Sequence, residues 1–287
     1  MPGKYDRQRR QARERYRRQQ EARVARQRQI RKRLLTGLSV VASAGLIAGL
    51  LLAFLPGGGK HSSASPKKSP TATPSATTVA EPAHHCTYTK ATPVAKKVSF
   101  PPATPDYTAK YTATLNTNLG KITFNLLNNK ATCTVNSFVH LAEAGYFNKT
   151  QCHRLVTSGP YVLQCGDAYA TATTKLTCSS TSDVGEGTPG YEFASENLTG
   201  AKYPAGTVGM ANGGGATNGS QFFIVYKDST STMAASYTPF ATVSSGLSFV
   251  QNVAKAGYSC QYTEDGVSEG GAPKEKVIID SVTIKKA

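Results

Sequence analysis

Three observations predict a mainly β domain: many short β-rich runs, only two stretches with helical periodicity, and turn residues between the runs. Short strands joined this way are expected to close into an antiparallel barrel, which removes exposed edges, with the two helices as caps. A separate feature lies upstream. An uncharged apolar run predicts one transmembrane helix ahead of the β domain.

Residues 1–33 form a basic arm with fourteen Lys and Arg against three acids, so most of the formal net charge of +16 sits there. The pI therefore describes the arm and not the folded domain, and no nucleic-acid partner is expected. Val24 and Ile30 are the arm's only large aliphatics, so it reads as a topogenic, lipid-facing segment. Residues 34–55 are uncharged. As a helix they would span about 33 Å, enough for a bilayer core of roughly 30 Å. Arg28, Arg31, Lys32 and Arg33 crowd the N-terminal flank, which puts the N-terminus in the cytoplasm and the rest outside. A cleaved signal peptide is the rival reading. Ala42-Ser43-Ala44 mimics a cleavage site, although it sits in the middle of the run. Residues 56–105, rich in Pro, Ser, Thr, Ala and Lys, read as an extracytoplasmic linker.

The folded domain is expected over 106–287. Lys110–Leu115 and Lys121–Leu126 are β-rich, with hairpin chemistry in Asn118-Leu119-Gly120 between them. Over Thr134–Ala144, Val135, Phe138, Val139 and Ala142 recur at helical spacing and Gly145 offers a stop. His153–Val156, Tyr161–Gln164, Val208–Met210 and Phe222–Val225 read as strands. Leu247–Ala256 is a second amphipathic helix, and Lys276–Ile284 is a closing strand. Ala170–Gly190 is a polar Thr/Ser/Gly-rich excursion.

Six cysteines all follow the apolar run, which reads as disulfides on the outer side. No pair has C-x-x-C spacing, so neither a metal site nor a redox motif is expected. Cys152 and Cys165 flank two candidate strands. If those strands pair antiparallel, the two can bond; the alternative is that either joins Cys133.

The most informative stretch is Met210 to Ile224, where Ala211-Asn212-Gly213-Gly214-Gly215-Ala216-Thr217-Asn218-Gly219-Ser220 runs into Gln221-Phe222-Phe223-Ile224. A loop of small and amide residues lets backbone approach a ligand, and the strand after it can hold an amide beside an aromatic ring. His153-Arg154-Leu155-Val156 and Tyr161-Val162-Leu163-Gln164-Cys165-Gly166-Asp167 form a second motif. Together they resemble the two signature segments of the cyclophilins, which are peptidyl-prolyl cis-trans isomerases. The likeness covers roughly residues 106–287, with the look of bacterial, actinobacterial-like, membrane-anchored members. It implies an eight-stranded barrel capped by two helices. It also implies catalysis by Arg154 and substrate binding by Tyr161, Val162, Gln164, Ala211, Asn212, Gln221, Phe223, Met233 and Tyr237. Strand alternation adds that Phe222 faces the core while Phe223 faces the groove, and that His153 turns away from the face of Arg154 as a hydrogen-bonded structural residue.

The expected function is rotation of X–Pro bonds in exported proteins outside the cytoplasmic membrane. The other reading is a catalytically weak module that binds proline-containing peptides. The expected partners are proline-containing polypeptides and, through the anchor, the cytoplasmic membrane. The protein is expected to be a monomer without cofactor or metal.

Overall fold

The computed structural model describes residues 85–178, 183–213, 216–264 and 267–287. The expected basic arm and membrane anchor, residues 1–55, lie outside these. Among the described residues no helix is long and apolar enough to cross a membrane.

Alternation along β2 (Tyr111–Thr117) and β3 (Gly120–Leu126) turns Ala113, Leu115, Ile122, Phe124 and Leu126 into the core. The two strands form the expected hairpin, with Thr117 paired to Gly120 across the turn. Helix α1 (Thr132–Glu143) buries Val135, Phe138, Leu141 and Ala142. Its first turn has no acidic residue and Ala131 provides no side-chain cap. The Glu196 carboxylate serves instead, accepting the N–H groups of Cys133 at 3.1 Å and Thr134 at 2.7 Å. Gly145, at φ 63°, ends the helix as expected.

Next come β4 (Thr150–Gln151), β5 (Arg154–Val156) and β6 (Val162–Cys165), then β7 (Tyr191–Ala194), β8 (Thr207–Met210), β9 (Thr217–Asn218), β10 (Phe222–Val225) and β11 (Pro239–Ser245). Helix α2 (Leu247–Ala256) follows, then β12 (Tyr258–Glu264), β13 (Val267–Pro273) and β14 (Ile278–Lys286). Phe124, Phe138, Phe147, Phe222 and Phe240 meet at the centre of the main core.

The closed eight-stranded barrel is corrected here. Among the described residues, eleven strands lie in one sheet in the order β12-β13-β5-β6-β10-β8-β11-β3-β2-β14-β4, and its ends do not pair. The reason lies in the connection between β4 and β5, which are consecutive along the chain and separated only by Cys152 and His153. β4 pairs with β14 while β5 pairs with β6, so at this point the chain itself links β4 to β5 and no ladder does. The hairpin β12–β13 then extends the sheet beyond β5. That hairpin was not expected, because Val267–Pro273 has little β propensity. Gly271 makes its fit possible: a Cβ there would collide with the Cys260 carbonyl and lie 2.7 Å from the Tyr258 ring.

A second, three-stranded sheet has the order β1-β7-β9, where β1 spans Tyr88–Lys90. The linker expected over 56–105 thus runs into structure in its described part. From His85 on, this segment is a strap. It is joined to α1 by a Cys86–Cys133 disulfide, and Tyr88 packs edge-on against Tyr191 and Phe193. The other disulfides are Cys152–Cys165 and Cys178–Cys260. Cys152 and Cys165 sit one position off the register that pairs Arg154 with Gln164.

Candidate active site

The three strands β5, β6 and β10 lie side by side, and alternation sorts their side chains between two apolar clusters. Leu155, Leu163, Cys165, Phe222 and Ile224 enter the main core. Val156, Val162, Phe223 and Val225 face the other way, into a second cluster completed by Tyr203. Ala211, Met233 and Tyr237 pack against its rim. Phe222 and Phe223 therefore divide between core and groove as alternation predicts.

Gly209 is what gives Phe223 its place. The two are cross-strand partners, and a Cβ on Gly209 would lie 2.5 Å from the tip of the ring. Tyr237 stands edge-on to Phe223 with centroids 5.7 Å apart. Its backbone is held by Tyr203, whose hydroxyl donates to the Tyr237 carbonyl at 2.9 Å and accepts the Tyr237 N–H at 3.2 Å.

The polar edge of the groove is a chain of three side chains. Arg154 is half-buried on β5 and its Nη1 donates to Gln164 Oε1 at 3.5 Å. Gln164 Nε2 donates to Gln221 Oε1 at 2.9 Å. Asn212, half-buried at the end of β8, donates its amide to the Ser236 carbonyl at 2.9 Å. The Ala211 N–H bonds the Gln221 carbonyl at 2.9 Å, which ties the loop to the strand after it.

Of the expected site residues, the structure gathers Val162, Phe223, Ala211, Met233 and Tyr237 around one apolar cluster, and links Arg154, Gln164 and Gln221 by hydrogen bonds. Tyr161 is not in that cluster. It packs against the main core, edge-on to Tyr226, with Lys227 Nζ 4.5 Å from its ring centroid. Val156 and Val225 were missed, although each is two residues along a strand from Arg154 or Phe223, so period-two counting finds them. Tyr203 lies in an irregular segment and leaves no periodic signal.

His153 corrects the expectation of a hydrogen-bonded histidine. It is buried, and neither ring nitrogen has a hydrogen-bond partner among the described residues. Burial lowers its pKa to about 4. The Asp167 carboxylate opposes this shift, Arg154 adds to it, and the nearby Gln221 amide pulls it back slightly.

The family described as cyclophilin type peptidyl-prolyl cis-trans isomerase/CLD matches residues 112–284. The chain belongs to this family. It is 40% identical over 190 residues to "Probable peptidyl-prolyl cis-trans isomerase B" of Mycobacterium tuberculosis (strain ATCC 25618 / H37Rv), covering 61% of this chain and 55% of the relative. It is 37% identical over 217 residues to the protein of the same description from Mycobacterium leprae (strain TN), covering 70% and 66%. The chain thus spans less than two thirds of the length of these relatives. A crystal structure of a cyclophilin type isomerase from Cryptosporidium parvum aligns over 61% of this chain and 98% of its own, at 22% identity and a TM-score of 0.49.

Proposed function

We propose that this domain is a peptidyl-prolyl cis-trans isomerase acting on exported proteins outside the cytoplasmic membrane, to which residues 34–55 tether it. One observation carries the activity: the Arg154 guanidinium, bonded to Gln164, shares a sheet face with the apolar cluster of Val156, Val162 and Phe223. The location rests on the uncharged run, its basic N-terminal flank and the placement of all six cysteines after it.

Rotation of an X–Pro bond breaks no covalent bond. Its barrier of about 18–20 kcal/mol is the loss of amide resonance. In the twisted state the proline nitrogen regains a lone pair and can accept a hydrogen bond. Arg154 stays charged at any working pH and carries the donors for it. Phe223, Met233 and Tyr237 offer an apolar seat for the pyrrolidine ring. That dry seat favours the less polar twisted amide over the planar one. Gln164, Gln221 and the Asn212 backbone can hold the flanking carbonyls while one side turns. All of these are preorganised groups whose gain is largest in the transition state. Lowering the barrier by about 7 kcal/mol would accelerate exchange roughly 10⁵-fold. Every group named lies in one copy of the domain, and its partners are proline-containing polypeptides.

The test is isomerisation of an X–Pro peptide by the wild type and by Arg154→Ala. Turnover is expected to fall by roughly tenfold or more with the circular dichroism spectrum retained. Equal turnover in a folded variant removes the arginine from the chemistry, and with it this reading.

A further inference from the structure

The polar excursion after β6 returns to the site through its backbone, and it does so at one buried carboxylate. Asp167 is fully buried in the turn that follows β6. Its Oδ1 accepts the Tyr169 N–H at 2.8 Å, and its Oδ2 accepts the N–H groups of Gly185 at 2.5 Å and Gly187 at 3.3 Å. A Cβ on Gly187 would collide with Asp167 Oδ1 and come within 2.7 Å of the Ala95 side chain, so the loop is clasped from both sides. The outer side is the strap. The Thr188 N–H and hydroxyl both donate to the Pro93 carbonyl, at 3.0 and 2.8 Å, and the Ala95 N–H donates to the Thr188 carbonyl at 3.0 Å.

The carbonyls of Gly185 and Gly187 face Gln221, whose Nε2 donates to them at 2.8 and 3.2 Å. A carbonyl oxygen can only accept, so these two bonds fix which end of the amide faces the loop. Gln221 Oε1 must then face Gln164, which answers with its Nε2 at 2.9 Å. Gln164 in turn presents its Oε1 to the Arg154 guanidinium. If either amide flipped, donor would meet donor, leaving partly buried groups unpaired. The loop backbone therefore decides which atom the guanidinium meets.

We propose that the segment Gly185–Thr188, clamped between Asp167 and the strap, orients the glutamine pair, and that Asp167 is a positioning residue for Arg154. This rests on Arg154 being the catalytic group. The strap half of the clamp lies outside residues 112–284, the part of the chain that the family match covers.

The experiment uses the full chain with Asp167→Asn, and Gly187→Ala as a second variant that disturbs the clamp from the loop side. Two quantities are read: kcat on an X–Pro peptide, and hydrogen exchange of the Gln221 side-chain amide by NMR. In the variants kcat is expected to fall roughly tenfold to hundredfold, the scale of a misplaced catalytic group, while the Gln221 amide exchanges faster. Lys175→Ala, an exposed side chain on the same excursion but outside this segment, is the control and should leave both unchanged. Folded variants with wild-type kcat overturn the proposal. So does a loss of kcat with the Gln221 amide unaltered. If the wild type itself shows no turnover, the isomerase reading fails, and the amide exchange still decides whether the clamp orients Gln221.

Discussion

His153 lies between β4 and β5 with its imidazole buried and its pKa pushed down to about 4, chiefly by that burial. In the unfolded chain the same group titrates near 6.5. As pH falls below that value the unfolded chain takes up a proton that the folded chain refuses. Stability therefore drops between about pH 6.5 and pH 4 and levels off below, a contribution of about 3 kcal/mol. Urea unfolding across this window should show the midpoint falling at constant slope. His153→Leu should flatten that part of the profile, leaving only the carboxylates; an unchanged profile would mean the histidine finds a partner or water in solution. At this scale the sequence was partly readable. Adjacent positions on a strand face opposite ways, so Phe222 and Phe223 sorted correctly. What a buried ring bonds to depends on residues remote in sequence, and no local pattern carries it.

Elements were legible where periodicity is local. Helix α2 and the hairpin β2–β3 follow from their own patterns of apolar and turn residues. The hairpin β12–β13 and strand β1 were not, since β13 has little β propensity, β1 is only three residues long, and both are held by distant partners. The start of α1 is another case, because its cap is a carboxylate from beyond β7. Glu196→Ala should leave the first-turn N–H groups without that acceptor. The expected cost is about 1 kcal/mol, seen as a lower urea midpoint with the sheet intact. No change would show that water replaces the carboxylate freely.

For the molecule as a whole, composition sets the basic arm and the apolar run apart from the β domain in the sequence. It placed the domain boundary too late, because residues 85–105 share their Pro, Ser, Thr and Lys content with the segment before them. The strap is marked by partners about a hundred residues away, in β7 and the loop before it, which composition does not reveal. If residues 34–55 hold the chain in the membrane with the domain outside, protease added to intact spheroplasts should remove the domain. A domain protected until the cells are lysed would place it on the inner side.

The Cys86–Cys133 bond also determines how the domain takes a pull. Tension arriving along the chain from the N-terminal side meets a covalent bond to α1 at Cys86 before it reaches the three-residue ladder of β1. Under oxidising conditions the mechanical load passes into a helix seated in the main core, and Thr188 and the glycines beside it stay slack. Once that bond is reduced, the same force would peel the strap from its end, and the groove would loosen with no ligand having left it.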